Sequence, residues 1–172
     1  YGIQREQGWV ALLEDTLKPL GGEHRVINAS ISGDTTGGGA ARLPAALEQH
    51  QPDLGIIELG GNDGLRGYPV PRLRDNLSTM IEASIDADAQ VLLVGMQIPP
   101  NYGPRYTQAF AGTFTDLANE YDVALIPGFL EQVALAGGLM QADGIHPTAA
   151  AQPLLLQAAW PAIAAFLQSH KN

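Results

Sequence analysis

Hydrophobic positions change their period several times along the chain, and each change marks an element. Over residues 4–20, Trp9, Val10, Leu12, Leu13, Leu17 and Leu20 recur at helical spacing until Gly21-Gly22 stops the pattern. Residues 25–31 (RVINASI) read as a short strand, which runs through the turn Ser32-Gly33-Asp34-Thr35 into a helix reaching about His50. Gln51-Pro52-Asp53 breaks that helix, and residues 54–59 (LGIIEL) form an unbroken apolar run of the kind found in buried parallel strands. The glycine pair at 60–61 ends the run.

The second half repeats this alternation. A loop through Arg66-Gly67-Tyr68-Pro69 leads to a helix over 71–86, and residues 90–98 (QVLLVGMQI) form the next strand. Pro99, Pro100 and Pro104 punctuate the passage to a helix over 105–121. A strand over 123–129, a short helix over 130–136 and a long final helix after Asp143-Gly144-Ile145-His146-Pro147 complete the chain. Strands alternating with helices of this length predict an α/β domain with a mainly parallel sheet, spanning 1–172 as a single domain. In such sheets ligands sit beyond the carboxyl ends of the strands, where Gly33, Asn62, Asn101 and His146 fall.

Composition narrows the partners. The chain carries a net charge of −9 and no run of Lys and Arg, so nucleic acid and anionic membrane surfaces are poor fits. The absence of cysteine excludes disulfides, thiolate metal sites and a cysteine nucleophile. Residues 148–167 hold no charge, but they are rich in Ala and include Pro153, Pro161, Gln152 and Gln157. A buried C-terminal helix is expected there, not a membrane span.

Three short stretches could carry chemistry. Asp143, three positions before His146, can set imidazole tautomer and orientation as a general base requires. It can equally cap a helix, with His146 a surface residue. Gly60-Gly61-Asn62-Asp63 is either an ordinary turn or an oxyanion donor. In the second case the Asn62 amide faces substrate and Asp63 braces the loop. Gly33 offers a backbone N–H between a strand end and a helix start. The glycines at 37–39 also allow a phosphate loop, although no Lys-Ser/Thr follows them. His24, His50 and His170 lie near helix ends or the terminus and carry little signal.

Taken in order, NASISGDT (28–35), ARLPAAL (41–47), ELGGNDGLRG (58–67), PPNYGPRY (99–106) and MQADGIHP (140–147) resemble the SGNH (GDSL) hydrolase family. They come nearest to its bacterial periplasmic branch of acyl-CoA thioesterases, lysophospholipases and arylesterases. The resemblance implies a three-layer α/β/α, flavodoxin-like fold around a central parallel sheet. It implies a serine hydrolase that cleaves esters or thioesters through a Ser-His-Asp triad and an acyl-enzyme, with no metal or cofactor. On this pattern Gly33 and Asn62 donate to the oxyanion, and Asp143 and His146 complete the triad. Leu65, Met96, Tyr102 and Ile145 are candidates for the acyl-binding wall. The resemblance further implies a periplasmic or secreted monomer or weak dimer acting on small acyl substrates.

The family's first block, Gly-Asp-Ser-Leu, does not occur in residues 1–172. Ser30 and Ser32 lie in the second block, and Ser78, Ser84 and Ser169 fall on predicted helices, so none substitutes for the nucleophile. The expectation is that the natural protein begins earlier, with the missing block also supplying the sheet's first strand. A chain of residues 1–172 alone is then expected not to hydrolyse anything. Within the class, a carbohydrate acetylesterase is the alternative, with Tyr68, Tyr102 and Tyr106 as the aromatic residues available to a sugar. A non-catalytic binding module is the alternative outside it.

Overall fold

A computed structural model describes residues 1–170, with Gln132 described through its backbone alone. The last two residues of the expected 1–172 domain lie outside the described residues. The chain divides into two compact units, one formed by Tyr1–Ser30 with the stretch from Phe129 onward, the other by Ile31–Gly128.

The Ile31–Gly128 unit holds the sheet. Its strands β1 (Leu54–Ile57), β2 (Gln90–Val94) and β3 (Ala124–Ile126) pair in parallel in the order β1-β2-β3. Leu54 stands beside Gln90 and Ile57 beside Leu93, while Leu92 stands beside Ala124 and Val94 beside Ile126. Val91 to Val94 are all buried, as expected for the middle strand of a parallel sheet. The helix α2 (Thr36–His50) leads into β1, α3 (Gly61–Leu65) and α4 (Val70–Asp86) connect β1 to β2, and α5 (Pro104–Tyr121) connects β2 to β3.

The core of this unit forms because apolar stripes on α4 and α5 meet one face of the sheet. Leu73, Leu77, Met80 and Ile81 of α4 and Phe110, Phe114 and Leu117 of α5 pack with Ile57, Val91 and Leu93. Positions 73, 77, 80 and 81 recur at i, i+4, i+7 and i+8, which is one side of a helix. Phe110 and Phe114 meet edge to face, with ring centroids 5.6 Å apart.

In the other unit, α1 (Trp9–Leu17) lies against α7 (Gln152–Ser169). Trp9, Leu13 and Leu17 supply one stripe and Leu155, Ala159 and Ile163 the other, each at a spacing of four. Trp9 also meets Phe129 edge-on at 5.6 Å, and Val133 of α6 (Glu131–Leu135) is buried. The Gln152 side chain joins the two long helices, since its Oε1 accepts the Trp9 N–H at 3.0 Å.

Several expectations are corrected. Residues 4–20 are not one helix: a 3-10 turn at Arg5–Gln7 and another at Lys18–Leu20 flank α1. Gly8 is extended between the first pair, and Pro19, which has no N–H to donate, ends the regular helix. Residues 25–31 join no strand of the sheet; β-branched residues make a strand only where a neighbour completes the ladder. The strands expected over 54–59, 90–98 and 123–129 are shorter, ending at Ile57, Val94 and Ile126. A helical turn, α3, stands where a loop was expected after Gly60. The final helix is buried along one stripe; Ala149–Ser169 is long and apolar enough to cross a membrane by length and composition, a test that a core helix passes equally.

Candidate functional site

The Asp143–His146 pair sits on a loop shaped by its own hydrogen bonds. Asp143 Oδ1 accepts the backbone N–H groups of Ile145 at 2.9 Å and His146 at 3.0 Å. Its other oxygen, Oδ2, meets His146 Nδ1 at 2.7 Å. Gly144 takes a positive φ of 67° inside this turn, a conformation in which a Cβ would be strained. The motif was expected at a helix start, but α7 begins only at Gln152, after a 3-10 turn at Ala149–Ala151. Asp143 therefore caps a turn, not a helix, and the same turn holds His146.

The electrostatics follow from these contacts. The hydrogen bond from the His146 ring, then those from the His146 and Ile145 backbones, lower the Asp143 pKa from 3.8 to about 2. An ionised Asp143 can only accept, so Nδ1 keeps its proton and donates it to Oδ2, and a neutral ring then presents an unprotonated Nε2. That is the tautomer a general base needs.

The loop is closed behind the histidine by Gln141. Its N–H donates to His146 O at 2.7 Å, and its Nε2 donates to Pro147 O and to Tyr1 O, both at 3.0 Å. The Tyr1 ring lies 4.5 Å from the His146 ring, centroid to centroid. Sequence reasoning missed Gln141, because a glutamine bonding to main chain leaves no periodic or charge signal. Ile145, offered as an acyl-wall candidate, lies on this loop and is exposed.

Gly33, Asn62, Leu65, Met96 and Tyr102 belong to the Ile31–Gly128 unit. The Asn62 side chain donates through Nδ2 to Asp34 O at 3.0 Å, which engages one of its two N–H bonds. Gly33 has φ 78°, the left-handed region that glycine enters at little cost, and Arg66 Nη2 donates to its carbonyl at 3.3 Å. Asp63 does brace the loop: its Oδ2 accepts Thr36 N–H at 2.9 Å and its Oδ1 accepts the Thr36 hydroxyl at 2.6 Å. Both residues are fully buried.

The glycines at 37–39 lie inside the first turns of α2, where space is the constraint. A Cβ on Gly38 would come within 1.9 Å of Asp34 Oδ1, and one on Gly39 within 2.3 Å of Leu59 Cδ1. Gly38 and Gly39 thus have a packing role. Met96 lies beside the Asn62 turn, with its sulfur 3.6 Å from where a Gly61 Cβ would be. The Tyr102 hydroxyl donates to Leu65 O at 2.7 Å, and the Tyr106 hydroxyl to Tyr68 O at 2.6 Å. Tyr68 in turn lies under the Arg72 guanidinium at 4.6 Å. Two of the three tyrosines offered to a sugar, Tyr102 and Tyr106, thus hold the 65–69 loop through their hydroxyls.

Residues 1–153 match the model of the GDSL-like Lipase/Acylhydrolase family. The chain belongs to this family. It is 53% identical to Esterase TesA of Pseudomonas aeruginosa over 94% of this chain and 81% of that protein. It is 45% identical to Thioesterase 1/protease 1/lysophospholipase L1 of Escherichia coli K12, over 90% of this chain and 73% of that protein. Among solved structures, it resembles the psychrotrophic esterase EstA from Pseudoalteromonas sp., inhibited by monoethylphosphonate. That match has a TM-score of 0.92 and 43% identity, covering 98% of this chain and 92% of that one. The resemblance read from the ordered blocks is borne out, and the fold is the α/β SGNH fold with its parallel sheet.

Proposed function

We propose that the protein is a serine hydrolase of carboxylic esters and acyl thioesters, and that Gly33, Asn62, Asp143 and His146 are its chemical groups. The observation that carries this reading is the Asp143 Oδ2 to His146 Nδ1 contact of 2.7 Å, which leaves Nε2 as the base, in a chain of GDSL family membership. The names of its relatives, esterase and thioesterase, support the substrate class.

The reaction is acyl transfer. A serine hydroxyl attacks the substrate carbonyl carbon while His146 Nε2 takes its proton. The carbonyl π electrons move to oxygen, and that oxyanion accepts hydrogen bonds from Gly33 N–H and the remaining Asn62 N–H. The intermediate collapses to the acyl-enzyme as imidazolium protonates the leaving alkoxide or thiolate. Water, deprotonated by His146, then attacks the acyl carbon, the second intermediate breaks its bond to the serine oxygen, and that oxygen regains a proton from the imidazolium as the acid leaves. Asp143 holds the imidazole and stabilises its cation throughout. The serine is that of the family's Gly-Asp-Ser-Leu block, which residues 1–172 do not contain.

Leu65, Met96, Tyr102 and Ile145 are proposed to wall the acyl chain, Tyr102 through its ring because its hydroxyl is engaged. A single domain, a periplasmic or secreted location, a monomeric or weakly dimeric state and cofactor-free chemistry belong to the same proposal.

The test uses a chain that carries the family's Gly-Asp-Ser-Leu block and a fluorophosphonate, read by intact mass. One adduct per chain is expected, lost in H146A, together with turnover of decanoyl esters and thioesters above acetyl esters. No adduct and no turnover would overturn the reading and favour a binding module; preference for acetylated sugars would favour the carbohydrate acetylesterase.

A further inference from the structure

The buried contact between Asp63 and Thr36 has no part in the acyl-transfer chemistry above, yet it joins the two segments that carry the proposed oxyanion donors. Thr36 is three residues beyond Gly33, at the first turn of α2, and Asp63 directly follows Asn62 in α3. The two residues are 27 positions apart in sequence and are 0% and 1% exposed. Both carboxylate oxygens are used on one partner: Oδ2 takes the Thr36 N–H and Oδ1 its hydroxyl. The Thr36 hydroxyl also accepts from Asn76 Nδ2 of α4 at 3.0 Å. Burying a carboxylate is costly unless its hydrogen bonds are complete, and here they come from a helix N-terminus, where the dipole favours negative charge.

We propose that Asp63 is a positioning residue which, through Thr36, fixes the spacing between the Gly33 N–H and the Asn62 amide. The inference rests on the reading of those two groups as oxyanion donors. Two further ties join the same segments, Asn62 Nδ2 to Asp34 O and Arg66 Nη2 to Gly33 O, but both are made at less buried positions. Neither holds the Gly33 segment at the backbone of a buried helix turn, as the Thr36 N–H bond does. An oxyanion donor acts only within a narrow distance of the developing charge, so a change in this spacing weakens the transition state and leaves ground-state binding nearly intact.

D63N and T36V disturb the pair without emptying the core, and T36S keeps the hydroxyl. All three are made in the full-length protein, assayed below their unfolding temperatures, with active sites counted by fluorophosphonate titration. In D63N and T36V, kcat per titrated site is expected to fall about 10- to 100-fold, less than the loss from deleting an oxyanion donor outright. KM should stay within about threefold and the pH profile should be unchanged, since the His146 base is not touched. T36S should stay within about threefold of wild type, and the D63N/T36V double variant should be little worse than the poorer single one. Wild-type kcat per site in both single variants would overturn the inference, as would a rise in KM that accounts for the whole effect. A wild-type protein that neither titrates nor turns over esters would instead overturn the acyl-hydrolase reading on which it rests.

Discussion

Asp143 grips His146 with both carboxylate oxygens, Oδ2 on the ring Nδ1 at 2.7 Å and Oδ1 on the backbone N–H at 3.0 Å. One side chain therefore fixes both the position of the histidine and the tautomer of its ring. D143N keeps the shape but offers a donor as well as an acceptor, so the ring can turn or exchange tautomer. We expect kcat in the full-length enzyme to fall about 10²- to 10⁴-fold with KM little changed, as when a triad carboxylate is neutralised elsewhere. Steady-state kinetics of D143N beside wild type check this, and a loss below about tenfold would remove Asp143 from the mechanism.

The same contacts give a pH dependence with a definite sign. The Asp143 pKa falls from 3.8 to about 2 in the folded chain, so folding favours its ionised form. Its stabilising contribution is complete above about pH 4 and is lost as pH falls through about 2. Side-chain carboxyl chemical shifts should therefore show Asp143 titrating near the lower value. A midpoint near 4 would mean that the ring contact is not made in solution.

Asn62 is held by Asp34 through one N–H, and the other is the one proposed to donate to the oxyanion. N62A removes that donor, and kcat is expected to fall about 10²- to 10³-fold, a loss typical of one oxyanion donor. Because the amide also ties α3 to the Asp34 backbone, thermal unfolding should be followed in parallel. Unchanged turnover would assign the oxyanion to other donors.

How far the sequence discloses this molecule depends on how local each feature is. The limits of α2, α4 and α5 follow from Pro52, Pro69 and Pro104 and from apolar spacing, and they fall within a residue or two of the expected ones. The Asp143–His146 contact spans three residues, so the contact itself could be expected from the spacing. Residues 25–31 misled because strand preference is realised only against a neighbour. The Thr36–Asp63 and Tyr102–Leu65 contacts span 27 and 37 residues and follow no period, so only the folded chain brings them together. The short helix α3 escaped notice because Gly60-Gly61-Asn62-Asp63 has the composition of a turn.

Gln152 makes a stability prediction independent of chemistry. It is 5% exposed, accepts the Trp9 N–H at 3.0 Å and donates to Thr148 O at 3.2 Å. Q152L fills similar space but leaves the Trp9 N–H at the start of α1 without this buried acceptor, which costs about 1–3 kcal/mol. For a chain of this size that lowers Tm by roughly 2–12 °C, measurable by calorimetry. A Tm within about 1 °C of wild type would mean that water reaches the start of α1.

The loop after Asn62 gives the last prediction. Tyr102 and Tyr106 donate their hydroxyls to Leu65 O and Tyr68 O, so the rim of the proposed acyl wall is held from outside by two bonds. Each is worth about 0.5–1.5 kcal/mol net, and removing both in Y102F/Y106F favours opening of the loop by about 5- to 150-fold. The amides of Gly67 and Tyr68 bond to Gly64 O and Asp63 O within this loop and report its opening. Their hydrogen exchange should speed up by that factor while amides of β2 exchange as in wild type. If the loop also sets acyl length, the double variant should lose discrimination between acetyl and decanoyl esters, with most of the change in KM because the bonds removed lie away from the reacting carbonyl. Exchange at Gly67 and Tyr68 equal to wild type would show that the loop is held by its own backbone, and the tyrosines would then act through their rings alone.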